Sequence, residues 1–271
     1  MKNLIKKMFL QVGLDIRRSN TGTNLKRRYK YYDSLTQEVD LAINKIRSLS
    51  VSQCNDYDFL CKEFIPGLGL NNEILEEQPP ELNKYYGKGL HIWQYPKQLA
   101  KYLVWLSKNA KDVNSYMEIG CRWGGTFILI NEWLLKIGAP LKNSIAVDPI
   151  EPTPFLKRYM EISKHKVIYI KELSTSPVFI KQQQILMPDM VFIDGDHSLG
   201  GVTNDHLLVR DYAKIIAHHD IFSLACPTTT RFWNFIKTVE SNFEYDEFTD
   251  QYESVHGHFL GIGVLKKTSI H

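Results

Sequence analysis

Cysteine is scarce in this chain of 271 residues, and the four present (Cys54, Cys61, Cys121 and Cys226) lie scattered, with no C-x-x-C pair. That spacing excludes a zinc knuckle and a disulfide framework, and a reduced, cytoplasmic setting is the simplest expectation. Net charge is also small: a formal +3 does not support nucleic-acid binding by the whole molecule. No apolar run approaches the roughly 20 residues needed to span a bilayer. At the N-terminus a short apolar patch is followed by Asp15, Arg17 and Arg18 instead of a cleavage site, so a signal peptide is not expected. With 44% hydrophobic residues, the chain can bury a full core as one large domain with an appendage.

The pattern changes near residue 85. Residues 1–85 read as a helical N-terminal extension with a loop, and 86–271 as the main domain. The first 50 residues are basic, with Leu4, Met8, Phe9 and Leu14 among lysines and arginines and a further cluster Lys26-Arg27-Arg28-Tyr29-Lys30. Such a segment suits peripheral contact with an anionic membrane or a second subunit, or is simply a solvated helix face. Thr36 to Leu49 predicts a helix whose apolar face is Val39, Ala42, Ile43, Ile46 and Leu49. From Ile65 to Asn83, Pro66, Gly67, Gly69, Asn71, Asn72, Pro79 and Pro80 predict a long loop, a lid or an ordered linker.

After residue 85 short apolar strands alternate with helices. Strands are expected at 115–119, 144–147, 167–170, 190–193, 214–218, 245–249 and 259–265, with helices at 97–108, 126–136, 153–163, 177–184, 201–211 and 231–241. The fold class is α/β: a Rossmann-like, doubly wound, mostly parallel sheet with an antiparallel C-terminal edge strand, plus the N-terminal helical extension. Ligands of such sheets bind at the carboxyl ends of the strands.

Those ends carry the chemistry. The first strand runs into Glu118-Ile119-Gly120-Cys121-Arg122-Trp123-Gly124-Gly125-Thr126. Its Glu-x-Gly-x-x-x-Gly spacing differs from the Gly-x-Gly-x-x-Gly of dinucleotide binders and disfavours an NAD-dependent dehydrogenase. An acidic strand end beside a helix N-terminus suits a ligand with a cationic amino-acid end. Asp148, ending the second strand, is placed to accept ribose hydroxyls, or else caps the next helix. Ser174, after the third, falls where adenine contacts are usual. The fourth ends Asp194-Gly195-Asp196-His197-Ser198 and the fifth His218-His219-Asp220. Neighbouring strand ends lie about 5 Å apart, so Asp194, His219 and Asp220 can share one divalent ion (Mg²⁺, Mn²⁺ or Fe²⁺), with His197 near enough to take a proton. Strand neighbours alternate faces, so only one of His218 and His219 points inward, and His219 is assigned. The alternative leaves His218 buried while His219 and Asp220 merely cap the strand.

Met117-Glu118-Ile119-Gly120 to Gly125, Ala146-Val147-Asp148 and Phe192-Ile193-Asp194-Gly195-Asp196-His197-Ser198 resemble a class I S-adenosylmethionine (SAM)-dependent methyltransferase. The nearest subgroup is the small-molecule and sugar O-methyltransferases related to the cephalosporin hydroxylase and catechol O-methyltransferase types. Trp93-Gln94-Tyr95-Pro96 and Gly261-Ile262-Gly263-Val264-Leu265 are similar too, and the likeness spans about 90–267. It implies that Glu118, Gly120, Gly124 and Thr126 line the methionine side of SAM, that Asp148 holds the ribose, and that Ser174 and Asp194 also border the cofactor. It implies Asp194, His219 and Asp220 as metal ligands, and His197 with Asp194 as the catalytic residues.

Aromatic and cationic residues expected near the mouth, Trp93, Tyr95, Trp123 and Arg231, suit a sugar or the phosphate of a nucleotide sugar. The expected function is O-methylation of a sugar hydroxyl in surface-glycan synthesis such as capsule or lipopolysaccharide, in the cytoplasm or at the inner face of the membrane. The alternatives are another small hydroxylated or phosphorylated metabolite as acceptor, or a non-catalytic SAM-binding protein. The partner is a small molecule and not a nucleic acid, and the N-terminal helices are compatible with a homo-oligomer.

Overall fold

A computed structural model describes residues 36–71 and 79–268 of the chain. The basic segment read as a membrane or subunit contact, and the middle of the loop read as a lid, lie outside the described residues. Seven strands form one sheet: β1 (Ser115–Ile119), β2 (Asn143–Val147), β3 (Lys166–Ile170), β4 (Met190–Ile193), β5 (Ile215–His219), β6 (Phe243–Phe248) and β7 (Ile262–Lys267), in the order β3-β2-β1-β4-β5-β7-β6. The pairs among β1 to β5 are parallel, and β7 is antiparallel to both β5 and β6. The antiparallel C-terminal strand therefore lies one place in from the edge, which β6 occupies.

Helices cover both faces because each strand alternates two apolar sides. Tyr116, Ala146, Phe192 and Ala217 face one core, closed by α1 (Thr36–Ser48), α2 (Pro96–Asn109), α3 (Gly125–Lys136) and α4 (Pro154–Ile162). Met117, Ile145, Val191 and Ile216 face the other, closed by α5 (Pro177–Leu186), α6 (Leu199–Val209) and α7 (Pro227–Val239). Two helices start at a proline behind a Ser or Thr cap, α4 behind Thr153 and α5 behind Ser176, and Ser198 caps α6 in the same way without the proline.

The described part of the extension is built into the first core. Val39, Ala42, Ile43, Ile46 and Leu49 are all buried, as their spacing predicts. Arg47 on α1 grips the fully buried carboxylate of Glu132 on α3 through Nε at 2.7 Å and Nη2 at 3.0 Å, and Tyr159 Oη donates to it at 3.1 Å. Arg158 on α4 pairs with Asp40 of α1 at 2.8 Å. The expected loop from Ile65 starts later: helical backbone continues through Tyr57–Phe59, Leu60–Phe64 and Ile65–Leu68. The middle stretch is a widened π turn, and the wider turn directly before Pro66 accommodates a residue that has no N–H to donate.

Removing Arg47 leaves the Glu132 carboxylate buried with only the Tyr159 hydroxyl. Arg47→Met should cost about 3 kcal/mol in urea denaturation, and a loss below about 0.5 kcal/mol would show that solvent already levels the pair. A second expectation concerns acid. Burial lowers His91 and His165 to about 4, against roughly 6.5 in an unfolded chain. Below pH ~6.5 the unfolded chain binds the extra protons, so stability from these groups is complete above that value and falls as pH drops towards 4. His165→Gln should reduce the difference between the urea midpoints at pH 7 and pH 5, and an unchanged difference would remove His165 from this account.

Candidate active site

The register of the sheet sets one row of residues along its carboxyl edge. Ile119 pairs with Val147 on one side and Ile193 on the other, and Ile193 pairs with His218. The next residues, Asp148, Gly120, Asp194 and His219, therefore stand side by side where the strand order reverses between β1 and β4, the switch point at which open α/β sheets bind ligands.

The glycine turn after β1 is held by protein before any ligand is considered. Gly120 has φ +85°, and a Cβ there would lie 2.1 Å from the Asp194 carbonyl oxygen, so only glycine lets the ends of β1 and β4 meet. Gly124, also at φ +85°, caps α3, and its missing side chain leaves room for Leu156. The Asp148 carboxylate accepts from Arg122 N–H at 2.8 Å and Ile150 N–H at 3.1 Å, tying the turn to the end of β2. Burial raises its pKa against those donors. One pleat deeper sits Glu118, buried and accepting from Tyr116 Oη at 2.7 Å. Burial pushes its carboxyl up to about 8, with Asp194 and Asp148 adding to the rise. Thr126, partly buried, stands in the first turn of α3.

Asp194, His197, His219 and Asp220 converge. His219 Nδ1 lies 3.1 Å from Asp194 Oδ1 and 3.5 Å from Asp220 Oδ2, without the alignment of a hydrogen bond, while its Nε2 faces Gln94 Oε1 at 2.6 Å. A carbonyl oxygen can only accept, so it fixes a proton on Nε2 and leaves Nδ1 as the nitrogen that faces the two carboxylates. Gln94 is itself oriented by its bond to Gln98 Oε1 at 2.9 Å. His197 Nε2 lies 3.2 Å from Asp194 Oδ1 and 3.4 Å from Asp220 Oδ2. Burial opposes charge on both imidazoles, yet the carboxylates hold both pKa values above the ordinary range. Conversely, burial would lift Asp194 and Asp220, but His219 and His197 hold them down. Asp220 takes a left-handed φ of 58° immediately after β5, which turns its carboxylate back towards the cluster. Asp194, His219 and Asp220 each offer a ligand atom, all within 4.8 Å of one another, and a buried Nδ1 and Asp220 Oδ1 without hydrogen bonds fit a bound cation.

His218 points to the opposite face, against His206 Nδ1 at 3.1 Å and between Phe232 and Trp233. The other expected residues are less gathered. Trp93 is half-buried and carries the Arg122 guanidinium 4.7 Å above its ring, with the ring of the buried Trp123 5.7 Å from the same group. Tyr95, expected to touch an acceptor, is only 1% exposed and packs edge-on against Tyr252 and Phe259; it is part of the core, because its polar edge gave no hint of how deep its ring lies. Ser174 is partly buried and bonds the buried Asp205 of α6. Arg231 is exposed on α7. Sequence reasoning missed Gln94, Arg122 and Cys226. Gln94 carried a signal, an amide between Trp93 and Tyr95 just before a helix, but its reach to His219, 125 residues away, is a tertiary fact.

The sheet order, with five parallel strands and an antiparallel pair at one side, is that of an open, doubly wound α/β sheet. No protein-family model matches the chain, and no curated protein matches it. Solved structures do. TomG, an O-methyltransferase from Streptomyces achromogenes involved in tomaymycin synthesis and solved with SAM, is 12% identical over 65% of this chain and 82% of its own, with a TM-score of 0.46. An O-methyltransferase from Bacillus cereus solved with S-adenosylhomocysteine is 14% identical over 63% and 78%, with a TM-score of 0.41. MycE, the methyltransferase of the mycinamycin pathway solved with Mg, S-adenosylhomocysteine and mycinamycin VI, is 12% identical over 62% of this chain and 48% of its own, with a TM-score of 0.41. At such identities no residue role transfers, and each is argued from this chain's own geometry.

Gly120→Ala should displace the β1 and β4 ends. A left-handed φ and a 2.1 Å approach to backbone predict a stability loss of about 2–4 kcal/mol in urea denaturation. Unchanged stability would mean that the turn relaxes freely.

Proposed function

We propose that this chain is a SAM-dependent O-methyltransferase, assisted by a divalent metal ion, that methylates a hydroxyl of a sugar or nucleotide sugar. The observation that carries this is His219 Nδ1, buried without a hydrogen bond and held between Asp194 and Asp220, at the edge of a sheet with a buried Glu118 beside its glycine turn. A carboxyl raised to about 8 gains a reason to ionise when an ammonium group arrives, and the amino-acid end of SAM supplies one. Gly120, Gly124 and Thr126 would border that end, Asp148 the ribose and Ser174 the adenine.

Asp194, His219 and Asp220 would hold the ion, Mg²⁺, Mn²⁺ or Fe²⁺, which supplies positive charge to orient and acidify an acceptor hydroxyl. Two carboxylates beside two imidazoles favour imidazolium ions. Were a cation to balance the carboxylates, His197 would be free to be neutral and to accept the acceptor hydroxyl's proton as the methyl group leaves the SAM sulfur for the acceptor oxygen. Arg122 stacked on Trp93 favours an acceptor that bears an anionic group, a nucleotide sugar or another phosphorylated metabolite, and Arg231 would add a second cation. Work in the cytoplasm, or at the inner face of the membrane in glycan assembly, is part of the same proposal. Among the described residues no helix is long and apolar enough to cross a membrane.

Calorimetry on the full chain should show binding of SAM and none of NAD⁺; the opposite result overturns the donor assignment. With an acceptor found by screening nucleotide sugars for SAM-dependent mass gain, His197→Ala should lower kcat about 10²-fold or more and leave SAM affinity unchanged. A normal rate in that variant would end the role of His197 as base, and full activity in chelator would end that of the ion.

A further inference from the structure

Cys226 takes no part in the methyl-transfer account, yet its sulfur meets the side of His197 that faces away from Asp194. It is buried at the start of α7, and its side chain makes no capping bond to that helix. Its Sγ lies 3.2 Å from His197 Nδ1 and 3.2 Å from Asp220 Oδ2. His197, Asp220 and Cys226 thus make a donor set of their own, one ligand atom from each lying within 4.8 Å of the others, and only Asp220 is shared with Asp194–His219–Asp220. The other nitrogen of His197, Nε2, lies 3.2 Å from Asp194 Oδ1. An ionised carboxylate can only accept, so a proton sits on Nε2 and Nδ1 is the nitrogen turned to the sulfur. A carboxylate behind one ring nitrogen and ligand atoms beside the other is the setting of a metal-bound imidazole. Around a four-coordinate ion with bonds of roughly 2.0–2.3 Å, neighbouring donors stand about 3.3–3.6 Å apart. The two sulfur contacts of 3.2 Å are close to that spacing.

We propose that His197, Asp220 and Cys226 form a second metal site, distinct from the strand-end set, that takes thiophilic ions such as Zn²⁺ in preference to Mg²⁺ and blocks methyl transfer while it is filled. An imidazole nitrogen, a carboxylate oxygen and a thiolate are donors that zinc accepts, with water in the fourth position. Mg²⁺ prefers oxygen ligands and keeps most of its water. The His197 side chain is 24% exposed, so an ion can enter from solvent beside it, while Asp220 and Cys226 form the buried wall of the site. Asp220 Oδ1 is buried without a hydrogen bond, which leaves that carboxylate capacity for a cation. Cys226 stands at the N-terminus of α7, whose positive end favours negative charge on the sulfur. As the bonds to sulfur and Nδ1 form, the thiol proton and any proton on Nδ1 leave to solvent, and no electron is transferred. The blocking effect, unlike the binding, rests on the proposed function. An ion on Nδ1 leaves Nε2 protonated, so His197 has no lone pair for the acceptor's proton, and Asp220 is drawn from the strand-end set.

Cobalt(II) and Zn²⁺ are the probes. The full chain, stripped with chelator, is titrated with Co²⁺ and followed by ultraviolet–visible absorption. A sulfur-to-cobalt charge-transfer band is expected, lost on adding Zn²⁺ and retained against a hundredfold excess of Mg²⁺. Cys226→Ser and Cys226→Ala, each checked for native circular dichroism, should lack the band and bind Zn²⁺ at least about 10-fold more weakly. His219→Ala removes a ligand of the strand-end set alone, so its band should persist. No band in the unaltered chain, displacement by equimolar Mg²⁺, or equal Zn²⁺ affinity in the folded Cys226 variants would each overturn the site. Loss of the band in folded His219→Ala would overturn its separateness. In a turnover assay Zn²⁺ should inhibit the unaltered chain at least about 10-fold more strongly than Cys226→Ala, and equal inhibition would remove the blocking effect. SAM calorimetry on the same samples separates the two ideas: SAM binding with no band defeats only the second metal site, and a band without SAM binding defeats only the donor assignment.

Discussion

Two carboxylates brought together at the ends of adjacent parallel strands need compensation, and the rest of the site is organised by that need. Asp194 and Asp220 share His219 between them and His197 beside them, all within hydrogen-bonding range. Like charges so close cannot both stay ionised in a partly buried setting without positive charge next to them. The protein can supply it by protonating imidazoles, and a divalent cation can supply it instead. The Gln94 amide suits either arrangement, because it fixes a proton on Nε2 of His219 and leaves Nδ1 as the nitrogen turned to the carboxylates. Structure and chemistry meet in that single amide.

The glycine turn follows from the same geometry. For Asp194 to stand beside Gly120, its backbone must come within contact of the turn, and the close approach leaves no space for a Cβ. Glycine there serves the packing of one strand end on its neighbour as well as access for a ligand. Asp148 likewise uses one interaction per oxygen on the backbone N–H groups of Arg122 and Ile150, and each oxygen keeps the capacity to accept one more. Residues read as cofactor contacts therefore also hold the turn together, and disturbing any of them would affect folding and binding jointly.

Much of this was legible in the sequence because periodicity and strand-end chemistry are local. The apolar face of α1 is the one that three- and four-residue spacing predicts, and β1 and β4 have the predicted bounds. Helix starts were less legible: α7 begins at Pro227, whereas the sequence pattern suggested Arg231, since a proline fits the first turn and Cys226 gives no capping signal. Tyr95 shows why depth is harder to read than type. An aromatic ring with a hydroxyl suits both a binding mouth and a core, and only the packing of Tyr252 and Phe259 around it decides. Cys226 and Gln94 were missed for a related reason: each acts through partners on other elements, and no local spacing reports such a meeting.

His218 and His219 make the role of the fold clearest. They are consecutive, both are buried, and both lie in β5, yet they are driven in opposite directions. Burial holds His218 well below the usual histidine range, with His206 adding to the effect and Phe232 and Trp233 packed around it. Burial acts on His219 as well, but Asp194 and Asp220 outweigh it and hold its pKa well above that range. Composition cannot distinguish the two side chains. The pleat of the strand does so, by turning one ring into an aromatic core and the other towards two carboxylates. The chemistry available at this edge is thus fixed by register: a slip of one residue in β5 would exchange the rings and place an unsupported imidazole where the carboxylates converge.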